Sequence, residues 1–144
     1  MPQLKLSIQR ATKRETPSRS QFLRWANAAL NVDTEVTIRI VNANEGRALN
    51  AAYRGKDYAT NVLTFPITEE PHLMGDVILC APVVEKEARE QGKDLMAHYA
   101  HMTVHGILHL HGYDHETDAQ AELMEALEVQ ILAKLGYANP YLIT

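Results

Sequence analysis

Cysteine is almost missing from this 144-residue chain, where Cys80 stands alone. No disulfide can form within the chain, and a thiolate-rich zinc site is excluded. Phenylalanine and tryptophan are scarce too, at two and one, so no aromatic platform for stacked bases is evident. No run of about 18 apolar residues occurs, which excludes a membrane-spanning helix. The first residues, MPQLKLSIQRATKRE, lack the uninterrupted apolar stretch of a secretory signal. Repeats, low-complexity tracts and linkers are absent as well. These absences together predict a soluble, cytoplasmic protein with no membrane partner.

What is present is an ordinary globular composition, 46% apolar and 22% charged, which excludes disorder and fibrous repeats. A chain of this length buries roughly 68–70% of the surface it exposes when unfolded, so a single domain over residues 1–144 is expected. The net charge of −4 hides an asymmetry. Residues 1–60 carry ten Lys or Arg against five Asp or Glu, and the remainder carries four against thirteen. The sequence pI near 5.9 argues against broad, nonspecific coating of nucleic acid. It leaves room for a local basic surface, and Arg47, Arg54 and Lys56 form the densest cluster near other informative residues. A plain solvated face is the competing reading of that cluster.

Periodicity and punctuation give the elements. Leu4, Leu6 and Ile8 alternate with polar neighbours and predict a strand over 3–9; Val36, Ile38 and Ile40 predict a second. Ser18 with Gln21 reads as a capping box opening a helix over 18–30. A short helix over 44–53, with Leu49 and Tyr53 on one side, stops at Gly55. Val62 to Phe65 is a strand ended by Pro66, and Gly75 to Cys80 is another, with a mobile connection over 67–74. Pro82 suits the first turn of a helix running to Gln91, which Gly92 follows. A helix over 94–111 stops at Gly112. Thr117 and Gln120 cap the last helix, whose Leu123, Leu127, Ile131 and Leu135 fall at helical spacing before Gly136. Strands come mainly first and helices last, so the predicted class is α+β or small α/β: a mixed sheet of about four strands packed with helices.

Seven histidines is a high count, and four of them fall within His105-Gly-Ile-Leu-His109-Leu-His111-Gly112-Tyr-Asp-His115. On a helix, His105 and His109 share one face with Cβ atoms about 5–6 Å apart, a spacing at which two imidazoles can hold one ion. Gly112 ends the helix and lets the chain return His115 to the open side of the pair. Three imidazoles and one vacant position describe a catalytic zinc site rather than a structural one. The offsets also match a metzincin protease motif, in which a Glu general base follows the first His. Gly106 occupies that place here and cannot take a proton. His111 projects to roughly the opposite face and reads as a surface residue. His101, one turn before His105, is either a packed helix residue or a partner supporting a ligand. His98 and His72 carry no usable signal.

The stretch His105 to His115 resembles the H-G-x-L-H-L-x-G-Y-D-H pattern of the YbeY family of bacterial metal-dependent endoribonucleases. Leu49-Asn50, Tyr53-Arg54-Gly55-Lys56-Asp57 and Thr60-Asn61-Val62-Leu63-Thr64-Phe65-Pro66 are similar to a second stretch of that family. Gly75-Asp76-Val77 looks like its G-D-I/V strand. Thr64 stands where Ser is commoner in the family, which keeps the hydroxyl. The resemblance implies that His105, His109 and His115 bind one zinc ion and that Arg54 is a further functional residue. It implies an RNA substrate, a role in maturing ribosomal RNA, including the 3′ end of the small-subunit RNA, and in ribosome quality control, and contact with the ribosome or its proteins. It also implies a histidine helix lying across a small mixed sheet.

On this reading His109 and Arg54 are catalytic, and Arg54 with Lys56 binds substrate. The zinc polarises a phosphate oxygen or lowers the pKa of water towards ~7. Arg54 offers a planar pair of donors to the phosphate, unless it is spent on a salt bridge to Asp57 or Asp76. Asp114, His101 and Asp76 are candidates for groups behind the ligands; Asp114 is a base or an acceptor that orients an imidazole, Asp76 at a strand start instead caps or pairs, and neither is assigned as catalytic. Tyr113 is a packed residue or a base-stacking one. Whether water or the RNA's own 2′-hydroxyl attacks stays open, as does the metal, since three imidazoles also accept nickel, copper or cobalt. Two other functions stay open too. One is a zinc peptidase with its base supplied from elsewhere. The other is a non-catalytic ribosome-assembly factor whose zinc is closed by a fourth ligand from His101, His111 or Asp114.

Overall fold

The computed structural model describes residues 2–142; Met1, Ile143 and Thr144 lie outside the described residues. The alternating apolar residues build β1 (Leu4–Ala11) and β2 (Thr34–Val41), which pair in parallel with Leu6 opposite Val36 and Ile8 opposite Ile38. Between them α1 (Arg19–Ala28) opens on the Ser18–Gln21 capping box and buries Phe22, Trp25 and Ala26. After β2 come α2 (Ala43–Arg54), β3 (Val62–Thr68), β4 (Leu73–Cys80) and α3 (Ala81–Gln91). Two longer helices follow, α4 (Leu95–Leu110) and α5 (Asp118–Lys134), the second opened by the Thr117–Gln120 capping box. The sheet order is β1-β2-β4-β3, parallel in its first two pairings and antiparallel in the last. This is the mixed four-stranded α+β architecture that the sequence predicts. No helix among the described residues is long and apolar enough to cross a membrane.

The two faces of the sheet carry unequal cores. Val36, Ile38 and Ile40 of β2 and Val77 and Leu79 of β4 face the larger one, with α1, α4 and α5. Ile78 and Cys80, one step out of phase, join Val41 and Leu63 in a smaller core that Leu49 of α2 packs against. A strand with one core on each face needs apolar residues at successive positions, which explains the run Val77-Ile78-Leu79-Cys80.

The connection between β3 and β4 differs from the sequence reading. β3 continues through Pro66 to Thr68, and β4 begins at Leu73, so the connection shrinks to residues 69–72. β3 is an edge strand, and a residue without an N–H is tolerated there because one side of the ladder has no partner. The register slips between Pro66 and Thr68, which leaves Ile67 as the extra residue of a bulge.

α4 is almost entirely enclosed. From His98 to Leu110 every residue is buried except His105 and His109, so past its first turn the helix opens to solvent only where its two spaced histidines stand. Gly106 lies against the sheet, and a Cβ there would come 2.8 Å from Cγ1 of Val77 and 3.5 Å from Cγ2 of Val62. The position next to the first histidine therefore points into β4 and not into solvent. A carboxylate base at this place would have to be buried under the sheet, so the missing protease Glu reflects the packing of this helix.

Candidate metal centre

His105 and His109 stand one turn apart on the open strip of α4. Gly112, at a φ of 96° that favours glycine, turns the chain after the helix and returns His115 to the pair. The three ring centroids form a nearly even triangle with sides of 5.2, 5.5 and 5.1 Å. One ligand nitrogen from each lies within 4.8 Å of the others, and Nε2 of His109 is 3.4 Å from Nε2 of His115. A tetrahedral ion with metal–nitrogen bonds of ~2.0–2.1 Å requires ~3.3 Å between two donors, so this pair already stands near the required separation. Burial, reinforced by the neighbouring His105 and His115, holds the His109 pKa below its ordinary value. The neutral imidazole, which is the form that ligates, is thereby favoured. The donor set and its spacing fit a metal ion.

Behind the triangle lies a residue that the sequence reading missed. Glu128 of α5 is 1% exposed, and its Oε2 accepts from Nδ1–H of His105 at 3.4 Å. Its Oε1 accepts from Nε2–H of His101 and from the Tyr141 hydroxyl, the latter at 2.6 Å. Burial alone would raise this carboxyl, but the bonds from His101 and His105 outweigh it and hold the pKa down, at about 2. Glu128 is thus a buried carboxylate satisfied by three donors. By accepting a hydrogen bond from the Nδ1–H of His105 it favours the tautomer that leaves Nε2 of that ring with a lone pair for a metal, an arrangement that usually strengthens ligation. The position was hard to find because the innermost line of α5 is Met124, Glu128 and Leu132, one residue on from the expected Leu123, Leu127 and Ile131. Leu123 is 55% exposed. A lone acid in an otherwise apolar Met124–Leu132 line was the available signal.

Replacing Glu128 with Gln should weaken metal affinity by ~10–100-fold, because the amide NH2 opposes the imidazole donors. Chelator competition reads that affinity, and a melting curve of the metal-free variant separates it from loss of fold. Unchanged affinity would make Glu128 a core brace only.

A cleft of about 660 Å³ runs from this centre to the end of α2, lined among others by Arg54, Thr64, His105, His109, Asp114 and His115. Arg54 is the last residue of α2, and Gly55 at φ 70° turns the chain away. The following loop is braced twice. The buried Asn50 donates from Nδ2 to the Tyr58 carbonyl at 2.8 Å, and Arg47 grips Asp57 through two bonds of 2.7 and 2.9 Å. Asp57 is therefore occupied by Arg47, and Arg54 makes no ion pair among the described residues. Its guanidinium is left for the cleft.

The other expected site residues fall as follows. Lys56 does not line the cleft. Asp76 is a correction: Val77 packs on α4, so by strand alternation Asp76 lies on the opposite face of the sheet, beside Phe65. Asp114 lines the cleft, but its Oδ1 accepts from the backbone N–H of His115 at 2.8 Å and orients the loop rather than a ring. His101 reaches the centre only through Glu128. His111 spends Nδ1 on the Ile107 carbonyl at 2.7 Å and Nε2 on the N–H of Asn31 at 3.3 Å. None of His101, His111 and Asp114 joins the three histidines as a fourth ligand. Tyr113 packs against the larger core.

A family model described as Endoribonuclease YbeY matches residues 6–136. The chain belongs to the YbeY family. A YbeY endoribonuclease of Methylobacillus flagellatus is 61% identical over 142 residues, 98% of this chain and 95% of that one. One from Delftia acidovorans is 58% identical and covers 96% of each chain. A longer YbeY endoribonuclease of Azoarcus sp. is 57% identical over 98% of this chain, which spans 61% of its length. A solution structure of a Thermotoga maritima protein superposes with a TM-score of 0.58 at 28% identity, over 91% of both chains. The YbeY resemblance first drawn from His105–His115 and Leu49–Pro66 thus extends across the fold.

Proposed function

We propose that this chain is a zinc-dependent endoribonuclease that cuts single-stranded RNA during ribosomal RNA maturation, including the 3′ end of the small-subunit RNA, and in ribosome quality control. It works in the cytoplasm, with the ribosome or its proteins as partners. The observation that carries this reading is one cleft with three imidazoles on one wall, Arg54 on the other and no fourth ligand among the described residues.

His105, His109 and His115 would hold the ion, and Glu128 fixes the ring of His105. A zinc ion bound there supplies Lewis-acid chemistry, drawing charge from a phosphate oxygen and lowering the pKa of water towards ~7. Arg54 binds the scissile phosphate through two parallel N–H donors and offsets the charge that grows there. Asp114 orients the loop that carries His115, and Thr64 offers a hydroxyl to the cleft from β3. A peptidase is disfavoured because the in-motif base position faces Val77, and a purely structural zinc because the ligand set stays open.

Purified protein loaded with zinc should cut an unstructured RNA internally, leave the matched duplex intact, and lose this activity when zinc is stripped and regain it on return. Gel mapping of end-labelled RNA reads the result. Cleavage indifferent to chelator, or cleavage of a peptide substrate in its place, would refute the reading.

A further inference from the structure

Two exposed tyrosines stand close to Arg54 in the chain. Tyr53 is 69% exposed and Tyr58 is 53% exposed, and both line the cleft that holds the three histidines. Single exposed aromatics are common; two within six residues at the mouth of a candidate catalytic cleft are a concentrated feature. Their placement is fixed by structure beneath them. Tyr53 leans on Phe65 of β3, with ring centroids 4.9 Å apart and planes tilted by 59°. The Tyr58 backbone is pinned by the buried Asn50. The Tyr53 ring, held from behind and bare in front, loses little freedom when a flat partner covers it.

We infer that Tyr53 and Tyr58 form a base-stacking subsite that seats unpaired nucleotides on either side of the phosphate bound by Arg54. The inference rests on the nuclease reading and adds the residues that select single strands. Aromatic rings stack on any base, so the subsite is indifferent to sequence. A paired base is already stacked within its duplex and hides its faces, so a duplex cannot use these rings. Arg54 holds a phosphate in either kind of RNA; the tyrosines respond only to the single strand. The scarcity of Phe and Trp hid this platform in the sequence, because the rings are tyrosines, Tyr53 resting on Phe65 from the last turn of α2 and Tyr58 carried by the loop that follows.

The test measures binding by the protein carrying His109→Ala, which holds no metal and so does not cut, with Tyr53→Ala, Tyr58→Ala and the Phe variants of both. Probes are an unstructured RNA oligonucleotide, the same backbone with abasic positions, and a matched duplex. Each Ala variant should weaken binding of the single strand by about 5- to 150-fold, and each Phe variant should keep it. Abasic and duplex probes should bind the Ala variants as they bind the parent. Both side chains are exposed, so far-UV circular dichroism and melting should be unchanged. Equal weakening on the abasic probe, or no weakening on the single strand, would overturn the subsite while leaving the nuclease intact. Failure of the parent to bind any RNA at low salt would refute the nuclease reading itself, and the subsite with it.

Discussion

Protein carrying His109→Ala should fold, retain no metal after dialysis against a weak chelator, and cut RNA at least ~10³-fold more slowly than the parent. His109 neighbours both other histidines of the candidate centre, with its ring 5.2 Å from that of His105 and 5.1 Å from that of His115. Without it, a single helix residue and a single loop residue remain, too few to hold an ion. Lewis-acid stabilisation is worth several kcal/mol of barrier, and each 1.36 kcal/mol is tenfold in rate, which sets the expected loss. Folding should suffer little. His109 is one of the two partly exposed residues in the enclosed part of α4, and Ala is the better helix former. The matched control is His111→Ala. Its ring ties the end of α4 to Ile107 and Asn31, so that variant should melt earlier and still cut. Metal content by mass spectrometry, melting curves and RNA cleavage separate the two. Parental cleavage by the His109 variant would remove the histidine centre from catalysis.

The contrast between those two histidines shows which parts of the site were legible. Offsets of four and ten residues, with a glycine between, describe geometry within one helix and its following turn, and local rules suffice for that. The same holds for the capping boxes at Ser18 and Thr117 and for the helix stops at Gly55, Gly92 and Gly112. What failed was whatever depended on a neighbour far along the chain. Pro66 reads as a strand breaker until β3 is known to lie at the sheet edge. α5 carries Leu123, Met124, Leu127, Ile131 and Leu132 around much of its circumference. Only its packing on α4 decides that Glu128 faces inward. Asp76 has an equal chance of either sheet face until α4 is seen to cover Val77. The sequence also held no physical reason to join Arg54 to a helix that begins forty residues later; family resemblance alone linked them, and the cleft between α2 and α4 supplies the reason.

That cleft makes Arg54 the second decisive position. The variant Arg54→Ala should lower kcat by ~10²–10³ while metal content and melting temperature stay near the parental values, because a donor aimed at developing charge acts mainly in the transition state. The structural ground for separating chemistry from stability is that Asp57 is already gripped by Arg47, and no ion pair joins Arg54 to Asp76 among the described residues. No ion pair among the described residues is lost with the guanidinium. Arg54 does place a positive charge in the last turn of α2, worth about 0.3–1 kcal/mol, and the better helix propensity of Ala offsets part of that. Arg54→Lys should recover only part of the rate, since an ammonium keeps the charge and loses the planar fork that matches two phosphate oxygens. Single-turnover cleavage of an end-labelled RNA at saturating protein isolates the chemical step. A KM effect without a kcat effect would make Arg54 a binding residue only. Insensitivity to both substitutions would move the catalytic phosphate away from α2, and with it the reading that the three histidines and the arginine act on one bond.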